Sequence, residues 1–311
     1  MTIYIDPELT NDELRAELFA GHLVVLTGLP AVAELALCMR RELEALFAPY
    51  PPQAAHEHFA PAELAALLGE WKPRFIHDAE SARLLRDIAA QAGFSAQDTH
   101  YDLPKPRTSF PIGSLSTGIA FAFPWHRDAW YAAPAQQINW WLPVWPVRPD
   151  NAISFDLRSF AEPVPNDSQL FDYYRHNAGR RATATQVTRE LQARPGALDH
   201  VPSEETVVLP PVGGLILFSG SQLHRSVPNA SAMSRYSIDF RTVDASDLSR
   251  GAGAPQTDVY CTGTAIRDFR NMSSGLGFDE AEVVRLFGPP PPDAMLVFEP
   301  EQVTGADPDA P

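Results

Sequence analysis

The stretch Gly213-Gly214-Leu215-Ile216-Leu217-Phe218-Ser219-Gly220-Ser221-Gln222-Leu223-His224-Arg225-Ser226 reads as an apolar strand, a glycine-containing turn and a second short strand opening at His224. Such a hairpin returns the chain across a barrel or sandwich. The region around it is built from short runs of β-formers separated by Pro, Gly and Asn. The runs 118–123, 136–144, 152–157, 206–209, 214–218, 223–228 and 234–243 are the predicted strands. The expected fold is therefore mostly β with flanking helices.

The first 117 residues read differently. Asn11-Asp12-Glu13-Leu14 places a capping residue and acids ahead of Leu14, Leu18 and Phe19 at helical spacing. His22 to Gly28 is β-branched and closes at Gly-Leu-Pro, a buried strand and turn; 31–47, 61–68 and 79–92 then repeat the helical pattern. The organisation expected is one domain over 1–311: a mainly helical extension over 1–117 packed on the sheet, a β core over 118–243 with a helical insertion at 166–194, and a C-terminal extension over 244–311 that loosens into a Pro-rich acidic tail after Pro289.

Composition narrows the function classes. Of 311 residues 45% are hydrophobic and 20% charged, enough for a sizeable core. Twenty-four Lys and Arg against 39 Asp and Glu give a formal charge of -15, a field that repels nucleic acid and anionic membranes. The expected partner is a small molecule. Cys38 and Cys261 are the two cysteines, with no CxxC, so no disulfide framework or zinc ribbon is built; they read as buried thiols of a reducing compartment. No basic apolar leader and no membrane-spanning apolar run is present, so the expected location is cytoplasmic.

The chemistry concentrates in Phe123-Pro124-Trp125-His126-Arg127-Asp128-Ala129-Trp130. In an extended chain residues two apart face the same side about 6–7 Å apart, close enough for an imidazole and a carboxylate to share one ion. A strand-end His paired structurally with a carboxylate is the other reading. His224, returned by the hairpin, supplies a third donor. Two imidazoles and a carboxylate cover one face of an octahedral ion and leave three positions open, the arrangement of Fe(II) oxygenases rather than of closed zinc sites. In Ser234-Arg235-Tyr236-Ser237-Ile238-Asp239-Phe240-Arg241, alternation sets Arg235, Ser237, Asp239 and Arg241 on one face. A buried Arg235 needs an anion, which is either an internal acid such as Asp239 or a bound carboxylate that Ser237 also contacts.

HxD, a distant His, Arg eleven positions beyond it and Ser two further on together resemble the Fe(II)/2-oxoglutarate-dependent oxygenases, specifically their phytanoyl-CoA dioxygenase-like branch, over roughly 118–243. The resemblance implies a double-stranded β-helix, a cupin-like jelly roll. It implies Fe(II) on His126, Asp128 and His224, with 2-oxoglutarate held by Arg235 and Ser237 and O2 as second co-substrate. It further implies oxidation of a C–H bond of a small molecule by hydroxylation, desaturation or cyclisation, such as a biosynthetic step requires. Members of that branch commonly carry Asn-Gly and Pro-Gly-Ser-His segments between the metal motifs; here 151–159 stands in that place. Asp128 is intact, unlike in halogenating relatives, where a small residue replaces the carboxylate.

Around the site, Gln137 and Asn139 alternate onto one face with Trp141 and are expected to contact 2-oxoglutarate or substrate, satisfied core amides being the alternative. Trp130, Tyr131, Arg127, Trp141 and Arg241 are candidate substrate contacts; core packing of the aromatics and internal pairing of Arg241 are the competing readings. His56-Glu57-His58 has ligand-like spacing without a strand pattern, and His77, His100, His176 and His200 read as surface or loop residues. Two other functions use the same pocket: an isomerase, epimerase or hydrolase with His126 and Asp128 as an acid–base pair and no redox metal, and a non-catalytic small-molecule-binding barrel.

Overall fold

A computed structural model describes residues 1–115, 118–184 and 194–297 of the chain. Among these residues the strands are β1 (Ile3–Ile5), β2 (Leu23–Leu26), β3 (Thr99–Tyr101), β4 (Lys105–Ser109), β5 (Ile138–Pro143), β6 (Ile153–Phe155), β7 (Thr206–Val208), β8 (Leu215–Ser219), β9 (His224–Ser226), β10 (Arg235–Asp244) and β11 (Arg270–Asn271). The helices are α1 (Asn11–Phe19), α2 (Pro30–Phe47), α3 (Ala55–His58), α4 (Pro61–His77), α5 (Ala79–Gln91), α6 (Tyr173–Ala184), α7 (Ala245–Arg250) and α8 (Glu280–Phe287).

Two sheets result. The larger runs β1-β2-β8-β5-β10-β3-β11, with β4 also on β10; β1 and β2 pair in parallel and the remaining neighbours antiparallel. The smaller is β7-β6-β9. The period-2 pattern of β10 decides its two faces. Tyr236, Ile238 and Phe240 are fully buried in one cluster with Trp140 and Leu142 of β5 and with Leu35, Met39 and Leu43 of α2. Each such side chain contributes roughly 1.5–3 kcal/mol through lost water contact. On the other face Trp141, Ile216 and Phe218 meet Ile153, Phe155 and Val208 of the small sheet. The polar residues of β10 lie between the sheets.

Local signals set the helix ends. Thr10, not Asn11, caps α1: its hydroxyl accepts from the Glu13 amide while Glu13 accepts from the Thr10 amide, a reciprocal capping box. α2 and α4 begin at Pro30 and Pro61, where a missing N–H costs nothing, and Asp78 caps α5.

Several expectations are corrected. The predicted strand at 118–123 is instead a 3-10 turn over Gly118–Ala120 followed by irregular chain. The first 117 residues do more than pack on the sheet, since β1, β2, β3 and β4 belong to it. The expected insertion holds α6, and its base is closed by a bridge between Asn166 and Ala197; its 185–193 portion and the tail from 298 lie outside the described residues. Cys38 and Cys261 are half-buried free thiols, Cys38 pushed up to about 11 by burial and Glu42. His100 is buried within β3 and stacked on Phe278, not in a surface loop. No helix among the described residues is long and apolar enough to cross a membrane.

Candidate metal centre

The site starts from a backbone pairing. His126 and His224 face each other as an antiparallel bridge, each amide donating to the other's carbonyl oxygen at 2.9 and 3.0 Å. A hydrogen-bonded antiparallel pair places its two side chains on the same face, and the imidazole centroids are 4.2 Å apart. Two residues on, the chain leaves extended geometry: Asp128 begins a 3-10 turn, Asp128–Tyr131, tied down by the Ala129 amide on the Gly220 carbonyl oxygen. That turn brings Asp128 Oδ1 to 3.6 Å from His126 Nε2 and 3.9 Å from His224 Nε2. The three donor atoms all lie within 4.8 Å of one another.

Hydrogen bonding fixes which atoms are free. His126 Nδ1 sits 2.9 Å from the Pro124 carbonyl oxygen and His224 Nδ1 2.8 Å from that of Gln222. A carbonyl only accepts, so each Nδ1 carries the proton and each Nε2 presents a lone pair. Burial, with the neighbouring His224, pushes His126 down to about 3, and burial lowers His224 as well. For Asp128 burial acts upward, but the charge of the nearby Arg241 outweighs it and holds the carboxyl at about 2. Neutral imidazoles beside an ionised carboxylate are the protonation states a metal requires.

A polar network supports this carboxylate. Asp128 Oδ2 accepts from Gln137 Nε2 at 2.9 Å and faces Arg241 Nε at 3.4 Å, so Oδ1 is the oxygen left for a cation. Gln137 also donates to Asn139 Oδ1 at 2.8 Å. Arg241 pairs with Asp102 at 3.3 Å, and Asp102 takes Lys105 as well; Arg107 grips Asp239 through Nε at 2.5 Å and Nη2 at 3.1 Å. The acids Asp102, Asp128 and Asp239 thus serve Lys105, Arg107 and Arg241. Of the two arginines on this face of β10, Arg235 is left over among the described residues.

That remaining cation is buried, with 6% of its surface exposed and no acid within 4.0 Å among the described residues. Its Nη1 donates to Ser237 Oγ at 2.6 Å, its guanidinium stands 5.6 Å from the centre of Trp141, and its Nε has no hydrogen-bond partner among the described residues. Burial pulls its ionisation down to about 10. An unpaired buried charge costs several kcal/mol, which a bound carboxylate would offset.

The residues singled out from sequence separate into groups. His126, Asp128 and His224 converge, and Arg235, Ser237 and Trp141 form the cationic end. Gln137 and Arg241 hold Asp128 from behind, Arg241 being internally paired. Tyr131 lies beside the triad, its ring 5.7 Å from that of His126, with its hydroxyl donating to the Pro195 carbonyl oxygen at 2.8 Å. Arg127 and Trp130 turn the other way: Arg127 bonds Asp258 and the carbonyl oxygens of Ser159, Phe160, Glu162 and Ser221, and Trp130, fully buried, donates to Asp258. Their contacts are structural. The pair His56 and His58 does not converge, since His56 bonds Ser234 and His58 stacks on Tyr50. Asp102 and Lys105 were not anticipated, and Phe123, whose ring stacks on His126 at 4.9 Å, was not read as part of the site.

No protein-family model and no curated protein matches the chain. Solved structures do. EvdO2 from Micromonospora carbonacea var. aurantiaca aligns at 14% identity with TM-score 0.46, covering 76% of this chain and 92% of that one. AviO1 from Streptomyces viridochromogenes aligns at 16% identity and TM-score 0.39, covering 78% and 97%. The non-heme alpha-ketoglutarate-dependent epimerase SnoN from nogalamycin biosynthesis aligns at 14% identity and TM-score 0.40, covering 84% and 99%.

Proposed function

We propose that the chain is an Fe(II)- and 2-oxoglutarate-dependent dioxygenase that oxidises a C–H bond of a small molecule, on a cupin-like double-stranded β-helix of the phytanoyl-CoA dioxygenase-like type. One observation carries this reading: a His-Asp-His face with its lone pairs free stands on the same inter-sheet interior as a buried arginine that has no acid within 4.0 Å among the described residues. His126 Nε2, His224 Nε2 and Asp128 Oδ1 would hold the metal. Arg235 and Ser237 would bind the distal carboxylate of 2-oxoglutarate. Bound iron would supply the oxidising chemistry by coupling O2 and the keto acid to the C–H bond.

The protein's own contribution is placement. The Nδ1 hydrogen bonds lock both rings so that Nε2 needs no rotation to bind, which lowers the ordering cost of capture. Gln137 and Arg241 occupy Oδ2 of Asp128, keeping that carboxylate to one donor oxygen. Arg235, fixed by Ser237 and Trp141, gives a carboxylate a two-pronged partner in a dry site, where a charged hydrogen bond is strongest. Asn139 would line the co-substrate side. Tyr131 and Trp141 would form pocket walls.

Incubation under air with Fe(II), 2-oxoglutarate and ascorbate as electron donor is expected to consume O2 and give succinate and carbon dioxide, and His126→Ala and Asp128→Ala should each abolish it. Calorimetry with Ni(II) in place of iron should show 2-oxoglutarate binding that needs the metal. Full succinate formation in either variant, or equal 2-oxoglutarate binding with and without metal, would refute the ligand assignment. Metal-independent turnover would return the site to acid–base chemistry.

A further inference from the structure

Beside the triad lies a second set of cations that the co-substrate does not need. Phe123, stacked on His126, carries two guanidinium groups: that of Arg107 is 5.5 Å and that of Arg194 5.9 Å from its ring centre. Arg194 also lies 3.9 Å over the ring of Phe121. A guanidinium held against an aromatic ring is attracted to it electrostatically without using up its N–H donors, which stay available to an acceptor. Arg194 has no acid within 4.0 Å and no hydrogen bond among the described residues. Arg107 spends Nε and Nη2 on Asp239, and among the described residues its Nη1 has no hydrogen-bond partner.

The chain holds Arg194 at this spot. Just beyond it the Pro195 carbonyl oxygen accepts from Tyr131, the Gly196 amide donates to Asp167 at 2.7 Å and the Ala197 amide donates to the Trp125 carbonyl oxygen at 2.8 Å. The segment is thereby stitched to the one that carries His126. Burial and the nearby Arg107 charge both weigh against an unneutralised Arg194. In a chain of net charge -15, an Arg194 with no acid within 4.0 Å among the described residues, beside the Nη1 edge of an Arg107 whose other nitrogens hold Asp239, marks a place for an anion. Phe121, Phe123 and Tyr131, all half-buried, give the same place an apolar wall.

We propose that Arg194, together with Nη1 of Arg107, binds an acidic group of the substrate, and that the substrate is an organic acid whose apolar frame lies along Phe123 and Tyr131 toward His126. Resting on the oxygenase reading, this adds a substrate class to it. Arg235 would take the anion of the co-substrate and Arg194 that of the substrate.

The test uses the full chain loaded with Ni(II) and saturated with 2-oxoglutarate, with metal and 2-oxoglutarate binding measured first, so that a failure of the underlying reading is seen separately. Calorimetric titration then compares 4-phenylbutanoate, its neutral amide and phenyl phosphate, the last to distinguish carboxylate from phosphate recognition. An acid is expected to bind at least about tenfold tighter than the amide, as one charge-assisted pair suggests. Arg194→Gln should erase that preference while leaving 2-oxoglutarate affinity within about threefold, as expected where the two anions are bound by different arginines. Equal affinity for acid and amide, no binding of either, or a preference that survives Arg194→Gln overturns the proposal. Loss of 2-oxoglutarate binding in Arg194→Gln would assign the arginine to the co-substrate and likewise overturn it.

Discussion

Replacing Arg235 by methionine is expected to move stability and co-substrate binding in opposite directions. The side chain is 6% exposed, and burial lowers its ionisation from 12.5 to about 10, a penalty of roughly 3 kcal/mol on the charged form. Against this stand the Ser237 hydrogen bond, worth about 1 kcal/mol, and the contact with Trp141, worth about 1 kcal/mol. Methionine keeps much of the volume without the charge. The ligand-free variant should therefore be more stable than the parent by about 1 kcal/mol, which in a chain of this size raises Tm by about 2 °C. Because the penalty belongs to the charged form, it is present throughout neutral pH and would fade only above about 10. Binding should fall instead: losing the partner of a buried carboxylate costs about 2–5 kcal/mol, or at least about thirtyfold in Kd for 2-oxoglutarate. Urea unfolding of metal-free protein gives the first quantity and calorimetry on Ni(II)-loaded protein the second. A variant destabilised by more than about 2 kcal/mol without ligand would mean that Arg235 is a structural partner, and the reasoning from its missing acid would fail.

Two further outcomes follow from the network behind the triad. Gln137→Leu should weaken Co(II) binding about 10–100-fold by freeing Asp128 Oδ2 to rotate, while the urea midpoint changes little; unchanged Co(II) affinity would show that Arg241 alone holds the carboxylate. Acid should destabilise the metal-free chain early. His126 and His224 are neutral in the fold but take protons near 6.5 once unfolded, so stability is lost as pH falls from 6.5 toward about 3, and Asp128 adds a loss between 3.8 and about 2. His126→Gln should flatten the urea-midpoint profile between pH 6.5 and 4, and an unaltered slope would contradict the burial of a neutral imidazole.

What the sequence made legible was local. His126 and Asp128 stand out by their spacing, and the face shared by Arg235, Ser237, Asp239 and Arg241 by simple alternation along β10; His224 does open a short strand after the glycine turn, but the expected hairpin does not form, since β8 pairs with β2 and β5 of the large sheet and β9 with β6 of the small one. Alternation misled where the backbone left it. Past Asp128 the chain is a 3-10 turn of about three residues per turn, so Trp130 and Tyr131, neighbours in sequence, face the core and the triad respectively. Pairings between remote segments were also out of reach. Arg107 with Asp239 and Arg241 with Asp102 depend on β4 and the loop before it lying against β10, and no periodicity records which strand will be a neighbour. The same gap hid β1, β3 and β4, and it left unread that the strand expected at 22–28, which is β2, joins them in the large sheet.

Hanging two donors from one rung of backbone pairing has a consequence for assembly. An ion caught there would clasp segments separated by roughly a hundred residues, so part of its capture energy becomes energy of chain closure. Stripping the metal should loosen the mouth between the two sheets before it melts the helical backing, and protection of the 126 and 224 amides against solvent exchange would report that fastening directly.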